Sequence, residues 1–136
     1  MSPAVDAASM KAASAARWRI LVVDDSADDA ELIGIELMQG GIDAELRCVD
    51  GETTLLAALA TFTPQLVLSD MNMPGFSGDR ALNLVREHAP GTQFVFLSGD
   101  AGGEFAVDKG AVRPDARLSK DHLGRLPALV RGLLGD

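Results

Sequence analysis

Five short runs suited to buried strands recur along the chain, and a helix-forming stretch follows each of them. The runs are Arg19–Val23 (RILVV), Ala44–Val49 (AELRCV), Leu66–Asp70 (LVLSD), Gln93–Leu97 (QFVFL) and Asp115–Ser119. The first, third and fourth are almost continuously apolar, as strands covered on both faces are. AELRCV alternates, which suits a strand nearer the sheet edge. The first helix starts at a cap supplied by Ser26 or Asp25 and runs to about Met38 before Gly40-Gly41. Leu32, Ile35 or Glu36, and Leu37 form its imperfect apolar stripe. Asp28, Asp29 and Glu31 fall in its first turn, where acids complement the helix dipole. A second helix over Glu52–Phe62 turns Leu55, Leu56 and Leu59 inward and stops before Pro64. A third over Gly78–Ala89 buries Ala81, Leu82 and Val85. A fourth, about Gly103–Lys109, is diluted by glycine. The last starts near Pro127, a residue suited to a first helical turn, and docks through Leu126, Leu129, Val130 and Leu133. Strand and helix in alternation require a parallel sheet, because parallel neighbours need crossover connections, and the helices then cover both faces.

A length of 136 residues accommodates one domain with one core. We place it at residues 18–136, after an Ala- and Ser-rich arm over residues 1–17 that reads as disordered and lacks the apolar core of a secretion signal. No stretch approaches the ~18 uninterrupted apolar residues of a membrane span. A net charge of −8 argues against a nucleic-acid surface, which would be basic. The single cysteine, Cys48, lies in a strand-like run and reads as a small buried thiol. Nothing calls for an oxidising compartment.

The chemistry gathers at the carboxyl ends of the strands, where open parallel sheets bind ligands. Asp24 and Asp25 follow the first strand, Asp70 closes the third, Ser98 follows the fourth and Lys120 the fifth. Three carboxylates in one cleft repel one another, and a hard divalent cation removes that conflict. Mg²⁺ suits such a set, because it takes one or two carboxylates and fills its shell with water and phosphate oxygens. Together these groups describe phosphoryl transfer. Asp70 would attack phosphorus and become an aspartyl phosphate, Lys120 would pair with one oxygen of the transferred group, and Ser98 would hydrogen-bond another.

In this order and on these strands, the residues resemble the receiver domains of two-component response regulators. The resemblance runs from about Arg19 to Leu134. It rests on the Asp24-Asp25 pair, on Asp70 with Pro74-Gly75 behind it, on Ser98 and on Lys120. It implies a flavodoxin-like doubly wound (βα)5 fold with a five-stranded parallel sheet. It implies that Asp70 is the phosphoacceptor, that Asp24 and Asp25 place Mg²⁺, Asp25 most directly, and that the backbone carbonyl of Asn72 adds a ligand. The donor would be a phosphohistidine on a sensor histidine kinase or a histidine phosphotransfer protein. The domain would catalyse only its own phosphorylation and dephosphorylation, in the cytoplasm, and would act without an output domain of its own. Two positions depart from the family pattern. Arg117 stands where most members carry an aromatic residue, and Asp121 stands where most carry proline after the lysine.

Plainer roles accompany these. Asp24 and Asp25 are also natural helix caps, Ser98 a turn former, Lys120 and Arg117 surface cations. Met71 and Met73 read as packing, since thioethers do not suit Mg²⁺. His88 and His122 read as surface residues. A phosphorylation-independent interaction module on the same fold is the alternative function, favoured by Arg117. A phosphohydrolase lacks its second carboxylate, because Asn72 occupies that position. A flavin binder has little aromatic surface to stack on, at 4% aromatic residues. Leu123, Leu126 and Leu129 suit either a homodimer contact or simple docking on the sheet.

Overall fold

The computed structural model describes residues 17–71, 73, 75–98 and 113–135. Its elements are β1 (Trp18–Val23), α1 (Ala27–Gln39), β2 (Ala44–Val49), α2 (Glu52–Thr61), β3 (Leu66–Asp70), α3 (Gly78–His88), β4 (Gln93–Ser98) and β5 (Ala116–Ser119). A 3-10 turn (Lys120–Arg125) then leads into α4 (Leu126–Leu134). The helix expected over Gly103–Lys109, Asn72, and residues 1–16 of the expected arm lie outside the described residues.

All five strands are parallel, in the order β2-β1-β3-β4-β5. The sheet is the doubly wound one expected, with β3 at its centre and every residue of β3 buried. Alternation along each strand divides the core. Ile20, Val22, Leu66, Leu68, Val95 and Leu97 face α1 and α4. Leu21, Val23, Val67, Phe94 and Phe96 face α2 and α3. Runs without polar residues are required because both faces are covered.

The helix signals act as their chemistry dictates. Ser26, rather than Asp25, caps α1, its hydroxyl accepting the Asp29 N–H at 3.2 Å. Gly40 and Gly41 end α1, with Gly41 in the left-handed region at φ +82°. Pro127 sits in the first turn of α4. Leu126 and Val130 are buried beneath α4, and Leu123, Leu129 and Leu133 pack against the same cluster.

Two expectations need correction. The buried stripe of α1 is Ile33 and Leu37, an i,i+4 pair, while Leu32 is half exposed. Cys48 is exposed rather than buried. It lies on β2 at the rim of the sheet, whose residues are only partly covered or exposed throughout, because the helices cover the middle strands. Its thiol is pushed up from the ordinary value by partial burial and by the negative charges of Asp24 and Asp50.

Gly78 sets how closely α3 approaches the sheet. A Cβ there would lie 2.7 Å from Phe96 Cε1 and 3.0 Å from the Cα and carbonyl oxygen of Met71, the residue directly after Asp70. The Gly78 N–H donates to that same carbonyl at 3.2 Å. Gly78→Ala is therefore expected to destabilise the fold by about 1–3 kcal/mol, as overpacking does. Gly124→Ala, with open space around the added carbon, should cost less than half as much. Paired urea denaturations check the difference.

Candidate functional site

Two strand ends deliver the acidic residues to one point. Asp24 follows β1, and its N–H donates to the Val49 carbonyl at 3.0 Å, extending the β1–β2 ladder by one bond. Asp70 ends β3 in register with Leu97 of β4. One carboxylate oxygen from each of Asp24, Asp25 and Asp70 lies within 4.8 Å of the others. Asp24 and Asp70 are buried and Asp25 is exposed, so the cluster is walled on one side and open on the other.

Lys120 reaches this cluster from the end of β5. Its Nζ donates to Asp24 Oδ2 and to Asp29 Oδ2, each at 2.8 Å, and lies 3.7 Å from Asp70 Oδ2. Burial alone would lower its pKa. The hydrogen bonds to Asp24 and Asp29, with the charges of Asp24 and Asp70, outweigh burial and raise it above the ordinary lysine value. Three carboxylates thus surround one ammonium, which offsets one of their charges.

Ser98 ends β4, fully buried and in register with Ser119 of β5, on the same sheet edge. Met73 is buried in the core beneath α2 and α3, and Met71 packs against it. His88 and His122 are exposed. Arg117 is half-buried on β5, in register with Phe96.

Asp29 is the residue that sequence reasoning did not bring to the site. As a first-turn acid it has a sufficient local explanation in the dipole of α1. No local signal links it to Lys120, which lies 91 residues further along the chain.

The donor set fits a divalent cation such as Mg²⁺. It is all oxygen, it is anionic beyond what Lys120 offsets, and its exposed member leaves room for water. A cavity of about 270 Å³ opens beside it, lined by Asp24, Asp25, Cys48, Asp50 and Thr54 among others. Arg80 and Glu52, bonded through two oxygens at 2.8 and 3.2 Å, tie α3 to the start of α2.

The model of the response regulator receiver domain matches residues 20–130, and this chain belongs to that family. Receiver domains work in two-component signalling with histidine kinases as partners. Among curated proteins, the chain is 37% identical over 82 residues to the DNA-binding response regulator MtrA of Mycobacterium tuberculosis, covering 60% of this chain and 35% of that one. It is 31% identical over 122 residues to the response regulator protein FleR of Pseudomonas aeruginosa, covering 80% of this chain and 25% of that one. With the regulatory protein AtoC of Escherichia coli the identity is 31% over 90 residues, or 66% and 19%. The chain thus spans about a third or less of the length of these relatives. Solved structures share the fold. The BeF3-activated receiver domain of DrrB, a Thermotoga maritima protein, superposes with a TM-score of 0.73 at 21% identity, covering 88% of this chain and 98% of that one. The response regulator domain of Thermotoga maritima CheB gives 0.72 at 19% identity, covering 88% and 97%. Among the described residues, no helix is long and apolar enough to cross a membrane.

Proposed function

We propose that the domain, residues 18–136, is the phosphoacceptor of a phosphorelay and takes a phosphoryl group from a phosphohistidine onto Asp70. The observation that carries this reading is the convergence of Asp24, Asp25, Asp70 and Lys120 on one buried-to-open cleft at the strand ends. Asp70 Oδ attacks phosphorus in line. A P–O bond forms while the P–N bond of the donor breaks, and the imidazole nitrogen leaves with the electron pair. Lys120 pairs with one oxygen of the transferred group, and Ser98 donates to another from the neighbouring strand end. Asp24, Asp25 and Asp70 hold Mg²⁺, with the Asn72 carbonyl as a further ligand; when bound, the ion offsets the charge on the phosphoryl oxygens. The donor is a sensor histidine kinase or a histidine phosphotransfer protein, and the setting is cytoplasmic. The altered surface then changes the docking of a protein partner.

The test is the intact mass of the native chain after incubation with acetyl phosphate. An adduct of one phosphoryl group is expected with Mg²⁺ and is absent in excess chelator. An adduct of equal yield without metal would remove the cation from the reading.

Arg117 supports a second reading, a docking module indifferent to phosphorylation. A long cation stands on β5 where most family members carry an aromatic side chain, so that aromatic reporter is missing. This reading predicts partner affinity that is equal with and without a phosphoryl analogue at Asp70.

A further inference from the structure

An ammonium has three N–H donors. In Lys120, two are committed to Asp24 and Asp29 at 2.8 Å. The distance to Asp70 Oδ2, at 3.7 Å, lies outside hydrogen-bond range. Ser26 contacts both residues that supply these acceptors, Asp24 at its carboxylate and Asp29 at its backbone. The Ser26 N–H donates to Asp24 Oδ1 at 2.8 Å, and the Ser26 hydroxyl accepts the Asp29 N–H. Ser26 therefore orients the Asp24 carboxylate directly and, as the cap of α1, fixes the backbone from which the Asp29 carboxylate projects. Asp29 lies outside the three-carboxylate cluster that suits a metal ion. Its side chain is 38% exposed, against 0% for Asp24, so it closes the outer side of the lysine's berth.

We propose that Asp29 is a positioning residue for phosphoryl acceptance. It holds the Lys120 ammonium off Asp70, with one N–H left for an oxygen of the incoming phosphoryl group. The proposal rests on the reading of Asp70 as phosphoacceptor. Without Asp29, one donor of Nζ loses its acceptor, and Asp70 Oδ2 is only 0.9 Å beyond the 2.8 Å of the existing bonds (3.7 less 2.8). A contact pair between Lys120 and Asp70 would engage the oxygen that attacks phosphorus and weaken it as a nucleophile.

The experiment compares the native chain with Asp29→Ala, Asp29→Asn and Asp28→Asn. Asn keeps an oxygen that accepts from Nζ, and Asp28 is the exposed neighbouring acid in the same helical turn. The first readout needs neither metal nor donor: the ¹H–¹⁵N resonance of the Lys120 ammonium in chelator, visible when hydrogen bonds protect its protons from exchange. It is expected to persist in the native chain, Asp29→Asn and Asp28→Asn, and to broaden away in Asp29→Ala. The second is the rate of phosphoryl acceptance from acetyl phosphate at saturating Mg²⁺. It should fall roughly tenfold in Asp29→Ala, within the range that misplacement by about 1 Å produces, and stay within about twofold in the other two. An unchanged ammonium resonance in Asp29→Ala would overturn the proposal, as would a rate within twofold of native. An equal loss of rate in Asp28→Asn would overturn it too, because charge alone would then be responsible. If the native chain accepts no phosphoryl group, the reading of Asp70 fails, and the ammonium resonance by itself decides whether Asp29 positions Lys120.

Discussion

Asp70→Asn is expected to accept no phosphoryl group, a loss of at least about a thousandfold, as when a covalent nucleophile is deleted. The amide has nearly the same shape and remains at the buried end of β3, so the fold should be unaffected. What disappears is the anionic oxygen. An amide oxygen is neutral, and attack through it would leave a cationic imidate in place of a stable acyl phosphate. Asp24 and Asp25 remain in the variant, so weakened Mg²⁺ binding should survive, and a metal-binding defect would not account for the loss. The measurement is intact mass with acetyl phosphate and Mg²⁺, followed by peptide mapping of the native adduct. Undiminished adduct in Asp70→Asn would move the acceptor elsewhere. An adduct mapped to Asp24 or Asp25 in the native chain would recast Asp70 as a ligand only.

How much of this the sequence discloses depends on whether the cause is local. β1, β3 and β4 are legible because strands covered on both faces must be apolar throughout. Asp24, Asp25 and Asp70 are legible as a cluster because parallel strands bring their carboxyl ends to one edge. Cys48 is misplaced because the alternation in AELRCV does not show how far a helix reaches over an edge strand. The stripe of α1 is misread because Leu32 and Ile33 are adjacent and equally apolar, and only packing against the sheet selects Ile33. Asp29 escapes for the opposite reason. Its partner Lys120 is 91 residues away, while a helix start explains an acid at that position equally well. Long-range pairings of polar residues leave no periodicity to read.

Lys120→Met should be among the most destabilising single changes in this domain when metal is absent. The methionine retains most of the aliphatic stem, so packing is largely kept and the charge is lost. Asp24 would then remain in a fully covered position with no ammonium, beside Asp25, Asp29 and Asp70. Breaking a buried ion pair from one side costs about 3–5 kcal/mol; the partial exposure of Asp29 and Asp25 lets water take up part of that, leaving about 2–4 kcal/mol. The pH dependence has a definite sign. The pKa of Lys120 is raised in the folded state, so its contribution is complete below the unfolded lysine value, about 10.4, and is lost only as pH rises through the folded value. The gap between native and variant in urea denaturation should therefore be the same at pH 7 and pH 9 and narrow only in stronger alkali. Mg²⁺ should narrow it at neutral pH, because a divalent cation among the same carboxylates supplies positive charge to the folded state alone. A variant as stable as the native chain in chelator would show that water, not Lys120, carries the charge of Asp24. A gap that Mg²⁺ leaves unchanged would show that the cation and the lysine do not share those carboxylates, and with that the common origin of metal binding and phosphoryl recognition in this cleft would be lost.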